Sequence, residues 1–151
     1  MKLLSVSHGK LEVSPKSDRL WVLDTPCTVA MHTDEGTLRA TALKGFVTDF
    51  RSPHGVIGDI VDVFVPGIGT VATACCYLFH DMCYTFCTDG EHCVSREIAD
   101  QMLRDGLLLA GMDPFTATAV YDAVRLAGGS PWDEPVEFGN DSKYTFHWDA
   151  R

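Results

Sequence analysis

The residues best suited to chemistry crowd one short stretch. Cys76, His80, Cys83 and Cys87 fall at i, i+4, i+7 and i+11, so on a helix they share one face. That stripe spans about 16 Å at about 1.5 Å per residue, whereas a Zn–S bond is about 2.3 Å, so no single zinc takes all four. A His80/Cys83 or His80/Cys76 pair completed by ligands from elsewhere is one arrangement the spacing allows. The other is that the cysteines are small core hydrophobes packed against the next helix. His80 and Asp81 are adjacent, and neighbouring side chains on a helix point about 100° apart. They cannot pair with each other, and each needs a partner from another element.

For His80 the natural partner is Asp100. An antiparallel helix pair would bring its carboxylate to the imidazole and fix the tautomer, as general-base chemistry requires. Asp49, at the start of a Gly/Pro-rich stretch, supplies a further acid. A cluster of Asp49, His80, Asp81 and Asp100 would activate water or bind a hard cation, with Asp81 and Asp49 as the metal ligands. In the plainer alternative Asp49 caps a turn, Asp81 is solvated and Asp100 binds loop amides. Arg125 is placed to pair with Asp100 or Asp122 as a structural ion pair. Among the cysteines, Cys76 and Cys83 are expected to be reduced and buried. Cys87 and Cys93 flank Thr88-Asp89-Gly90, a turn that would bring them within the roughly 4.4–6.8 Å Cα separation of a disulfide.

The elements that must position these groups form an α+β pattern, an N-terminal antiparallel β-meander packed on three C-terminal helices. Leu11–Val13, Leu20–Leu23, Cys27–Met31 and Leu38–Leu43 are short β-type runs, and Thr33-Asp34-Glu35-Gly36 has the chemistry of a hairpin turn. Residues 51–70 hold Pro53, Gly55, Gly58, Pro66, Gly67 and Gly69, the composition of a long shaped loop. A first helix is predicted from Val71 to about Cys87. A second begins at the capping residue Ser95, with Glu97 in its first turn, buries Ile98, Met102, Leu103, Gly106, Leu109 and Ala110, and ends at Gly111. A third opens at Asp113-Pro114, turns Phe115, Ala119, Val120, Ala123, Val124 and Ala127 inward, and closes at Gly128-Gly129. Residues 1–129 are thus expected to form a single domain. Residues 130–151, with Trp132, Phe138, Tyr144, Phe146 and Trp148, form an aromatic arm packed on it or on a neighbouring subunit.

Composition narrows the partners. With 12 Lys and Arg against 21 Asp and Glu, a formal net charge of -9, the chain lacks the clustered cations that phosphate backbones require, so no nucleic acid is expected. An anionic membrane surface is disfavoured for the same reason. The first residues carry one Lys and a short apolar stretch broken at His8 and Lys10, which is not a signal-peptide pattern. No run reaches the length of a spanning helix, because Val56–Val71 is interrupted by Asp59, Asp62 and Pro66. A soluble protein whose cysteines are thiols is the expectation.

Four motifs in order carry a family resemblance: Gly45-Phe46-x-Thr48-Asp49-Phe50-x-Ser52, His80-Asp81-x-x-Tyr84, Ala99-Asp100 and Tyr121-x-Ala123-Val124-Arg125-x-x-Gly128. With the lead-in Leu20-Trp21-Val22-Leu23, the stretch from about residue 11 to 130 resembles the phage-borne domain of unknown function 1353. The chain departs from that family at Arg51-Ser52-Pro53, where the family has Ala before the Ser and one residue between Ser and Pro. The family has no established activity, so the resemblance implies an architecture and a phage context, in the virion or the host cytoplasm. Asp49, Ser52 and Tyr84 are the candidate binding residues of these motifs. A shorter stretch, Cys75-Cys76 followed by His80-Asp81-x-Cys83-Tyr84, is similar to the catalytic helix of secreted phospholipases A2. That likeness implies a water-deprotonating His80, a calcium-binding Asp81 and an orienting Asp100. It has one extra residue before His80, and Pro66-Gly67-Ile68-Gly69 is an imperfect counterpart of the calcium loop.

Two functions follow as expectations. The first is a virion-associated structural component of tail or connector, partnered by other phage proteins or by copies of itself. The second is a small hydrolase acting on lipid or cell envelope, with His80, Asp81 and Asp100 as catalytic residues and calcium or zinc as the cofactor. The breadth of the family resemblance favours the first.

Overall fold

The hairpin turn sets the register of the main sheet. In the computed structural model, which describes residues 1–17, 20–48, 70–86, 94–127, 129, 132 and 143–150, the Thr33 hydroxyl accepts from the amides of Glu35 and Gly36 at 3.2 and 3.1 Å and donates to the Gly36 carbonyl at 2.8 Å. This closes β4 (Cys27–Thr33) onto β5 (Gly36–Ala42), with Cys27 opposite Ala42 and His32 opposite Thr37. β1 (Leu3–His8) pairs antiparallel with β4, and β7 (Tyr144–Ala150) pairs antiparallel with β5, giving the order β1-β4-β5-β7. A second sheet joins β2 (Val13–Pro15), β3 (Trp21–Leu23) and β6 (Val47–Thr48) in the order β2-β3-β6. Gly45 turns the chain between the sheets at φ 91, and its amide donates to the Leu23 carbonyl at 2.8 Å. An L side chain is strained there.

Three helices follow: α1 (Val71–Phe86), α2 (Arg96–Leu109) and α3 (Pro114–Ala127). α2 starts where Ser95 accepts from the Ile98 amide at 3.2 Å. It stops in a Schellman arrangement, with the Met112 amide on the Leu107 carbonyl at 2.9 Å, the Gly111 amide on the Leu108 carbonyl at 3.1 Å, and Gly111 at φ 96. Asp113 caps α3 by accepting from the Thr116 amide at 3.1 Å, one residue before Pro114.

The fold is α+β as expected, with the strands divided between two sheets. β1 and β7 were not among the predicted strands. The tail places Tyr144, Phe146 and Trp148 opposite Ala42, Ala40 and Leu38, and the Phe146 ring lies 5.8 Å from that of Phe79. This part of the aromatic arm is therefore an edge strand of the protein's own main sheet.

α1 is buried on every side from Thr73 to Tyr84. It lies against β4, β5 and α2, and a helix covered all round must satisfy its polar side chains internally. α3 behaves otherwise. Its buried positions are Ala117, Val120 and Val124, one narrow stripe facing α2. Phe115, two positions from Ala117, turns away and is 71% exposed, and Leu126 is 87% exposed. Leu109 likewise points outward while Leu107 is buried. No described helix is long and apolar enough to cross a membrane.

α1 and α2 approach closely at Gly106, where a Cβ would lie 2.9 Å from Cys76 Sγ and 3.7 Å from Val6 Cγ2. Gly106→Val should therefore destabilise the protein by about 1–3 kcal/mol through overpacking. Adding Cys76→Ala should recover part of that loss, because it removes the sulfur in the way. Urea unfolding of the single and double variants checks both, and an unchanged midpoint in Gly106→Val would contradict this packing.

Candidate functional site

Burial on all sides leaves α1 with polar groups to satisfy, among them His80 and Asp81. His80 is fully buried, and its Nε2 lies 2.7 Å from Oδ1 of Asp100, which is also fully buried. The antiparallel helix pair brings these residues together as the sequence indicates. One turn further along α1, the Tyr84 hydroxyl donates to the same Oδ1 at 2.7 Å. From α3, Arg125 Nη1 donates to Asp100 Oδ2 at 2.9 Å. Asp100 is thus the acceptor at the meeting point of three helices. The Tyr84 ring lies over the His80 ring, with centroids 4.4 Å apart, and its edge meets Trp132 at 5.1 Å.

The electrostatics follow from these contacts. Burial alone would push the Asp100 carboxyl up, yet the bond and charge from His80, with the bonds from Tyr84 and Arg125, hold it below the usual carboxylate range. Burial, reinforced by the Asp100 charge, pushes the Tyr84 hydroxyl up, so it stays protonated and remains a donor. An ionised carboxylate only accepts. The proton between His80 and Asp100 therefore resides on Nε2, which leaves Nδ1 as the nitrogen on the opposite side of the ring. That Nδ1 is buried and has no hydrogen-bond partner among the described residues.

Asp81 points elsewhere. Its carboxylate accepts a short hydrogen bond from the Thr48 hydroxyl at the end of β6, and it is 9% exposed. It is buried and bonded where the plainer alternative had it solvated. Asp49 and Ser52 lie outside the described residues, as do Cys87 and Cys93. Among the described residues no group of three or more His, Cys, Asp or Glu side chains could hold a metal ion, so the His80/Cys zinc arrangement has no counterpart there. Asp81 offers a single carboxylate to a cation.

Cys76 and Cys83 are buried free thiols, as are Cys27 and Cys75. Burial pushes the Cys76 thiol up to about 12. The Cys75 thiol is pushed up by its hydrogen bond to Cys27 and by burial. Such thiols pack as small hydrophobes.

Tyr84, expected as a binding residue, spends its hydroxyl on Asp100. Thr48 was not singled out as the partner of Asp81, although it stands in the same motif as Asp49. Arg125 takes the Asp100 alternative of the two considered.

A family described as protein of unknown function (DUF1353) has a sequence model that matches residues 21–124. The chain belongs to this family. The matched span covers the residues of the described site, Thr48, His80, Asp81, Tyr84 and Asp100, and stops one residue short of Arg125. No curated protein and no solved structure matches the chain.

Because Asp100 is held below the ordinary carboxylate value, the stability it confers is present above about pH 3.9, where the unfolded chain titrates. It is lost as pH falls through the lower value of the folded protein. Asp100→Asn should cost about 2–4 kcal/mol at pH 7, since it leaves Arg125 facing a neutral partner in a half-buried position. The gap between wild type and variant should narrow in acid. Urea unfolding at both pH values measures it, and a constant gap would contradict an ionised Asp100.

Proposed function

We propose that this member of the DUF1353 family is a small His/Asp hydrolase in which His80 activates water by general-base catalysis. The observation that carries the reading is Nδ1 of His80, which has no hydrogen-bond partner among the described residues, on a ring whose opposite nitrogen is fixed by Asp100 at 2.7 Å. A buried ring nitrogen without a partner costs about 1–3 kcal/mol, and such groups call for an explanation. General-base chemistry uses a nitrogen of this kind, with its lone pair exposed and its tautomer set from the far side.

The proposed reaction is ester hydrolysis. Water gives a proton to Nδ1 as its oxygen attacks the carbonyl carbon. The imidazolium that forms is stabilised by the Asp100 carboxylate on Nε2. Collapse of the tetrahedral intermediate expels the alkoxide, which takes the proton back from Nδ1 and leaves a carboxylic acid and an alcohol. His80 is fully buried, so turnover requires a path to open beside Nδ1. Asp81, one residue on and bonded to Thr48, is the group to which the phospholipase-like helix would assign calcium, whose charge would stabilise the oxyanion. The local likeness to that helix, His80-Asp81-x-Cys83-Tyr84, is why a carboxylic ester of lipid is the substrate class chosen.

The structural role in a virion remains a second reading. It is favoured by the apolar side chains that α3 leaves exposed, Phe115 and Leu126, a surface suited to a protein partner.

One experiment separates the two. His80→Gln keeps a donor toward Asp100 and removes the base. On mixed phospholipid micelles with calcium, it should cut release of fatty acid by about a hundredfold or more, with the thermal melt close to that of wild type. Silent wild-type protein, or an active His80→Gln variant, would overturn the hydrolase and leave the structural reading.

A further inference from the structure

We propose that Arg125 is a positioning residue for His80, acting through Asp100; the inference rests on the general-base reading and assigns a third residue to that site. Both bonds from α1 fall on one oxygen, since His80 Nε2 and the Tyr84 hydroxyl each lie 2.7 Å from Asp100 Oδ1. Among the described residues, the donor on Oδ2 is Arg125 Nη1, at 2.9 Å. A carboxylate held through a single oxygen is free to swing about its Cβ–Cγ bond, and its second oxygen would lie buried without a donor. It would then turn toward another donor or take up a proton, because an uncompensated carboxylate in a protein core is strongly disfavoured. Either response removes the acceptor from His80 Nε2.

Nothing on the other side of the ring compensates, because Nδ1 has no partner among the described residues. Arg125 thus does two things that Tyr84 cannot. It pins the carboxylate plane from the opposite oxygen, and it supplies the positive charge that keeps Asp100 an acceptor. Its side chain is 32% exposed while that of Asp100 is 0% exposed, so the charge reaches the buried acid from the protein surface. Its own backbone is tied to α2, where the Arg96 guanidinium approaches the Val124 and Arg125 carbonyls at 3.4–3.5 Å. An ordinary surface ion pair would have no effect on the histidine.

The test uses the full chain with Arg125→Met, Arg125→Lys and Asp100→Asn. In the calcium–phospholipid micelle assay, Arg125→Met should lower kcat about tenfold or more with KM within about twofold, and Arg125→Lys should restore most of it. In the Asp100→Asn background, Arg125→Met should cause no further loss, as expected of residues acting through one another. A second readout needs no turnover: the carbon–proton NMR signals of the His80 ring should be one sharp set in wild type and Arg125→Lys, and broadened or doubled in Arg125→Met. A Met variant with one sharp set and full kcat, altered only in its melting temperature, would overturn the proposal. If wild type hydrolyses nothing, the general-base reading fails alone, and the ring signals still decide whether Arg125 orders His80.

Discussion

One buried anion organises the helical half of this protein. An ionised carboxylate in a core is tolerated only when donors surround it. Asp100 meets that condition with three of them: His80 and Tyr84 from α1 and Arg125 from α3. Each donor constrains its helix. α1 must present His80 and Tyr84 one turn apart on the side facing α2, and α3 must run so that its last turn carries Arg125 over the same point. The Arg104 guanidinium over the Tyr121 ring, 4.6 Å from its centroid, braces α2 against α3 nearby. Removing the anion would take the acceptor from three donors, two buried and one half-buried, so packing and electrostatics here stand or fall together.

The same constraint orients the His80 ring. Asp100 accepts from Nε2 of His80, and Nδ1 lies on the opposite side. Asp81 is turned toward the smaller sheet and bonded to Thr48, so the two adjacent polar residues of α1 serve different neighbourhoods. Among the described residues Nδ1 has no hydrogen-bond partner, and such a bond is worth about 1 kcal/mol. In the account offered here, that nitrogen is the reacting group.

Much of this arrangement was legible in the residues. The pairing of His80 with Asp100 follows from helical spacing, from the turn signals between α1 and α2, and from the geometric impossibility of a His80–Asp81 pair. The ends of α2 and α3 were marked by Ser95, Gly111, Asp113 and Pro114, whose local chemistry acts with little help from the rest of the fold. What escaped depended on distant partners. β7 alternates Tyr144, Phe146 and Trp148 with Thr145, His147 and Asp149, a plain strand pattern, yet its place became visible only once β5 offered an edge. The inward assignment of Phe115 failed because the stripe that α3 buries runs through Ala117, Val120 and Val124, and Phe115 lies off it. The identity of the Asp81 partner depended on β6 reaching α1, which no local signal encodes.

The central claim is that Asp100 fixes the His80 ring by accepting from its Nε2, so that Nδ1 faces away from the acid. Nitrogen NMR of the wild-type protein, with the ring of His80 assigned through long-range proton–nitrogen couplings, reads this directly. The account predicts a proton on Nε2. A ring protonated on Nδ1 alone would contradict it.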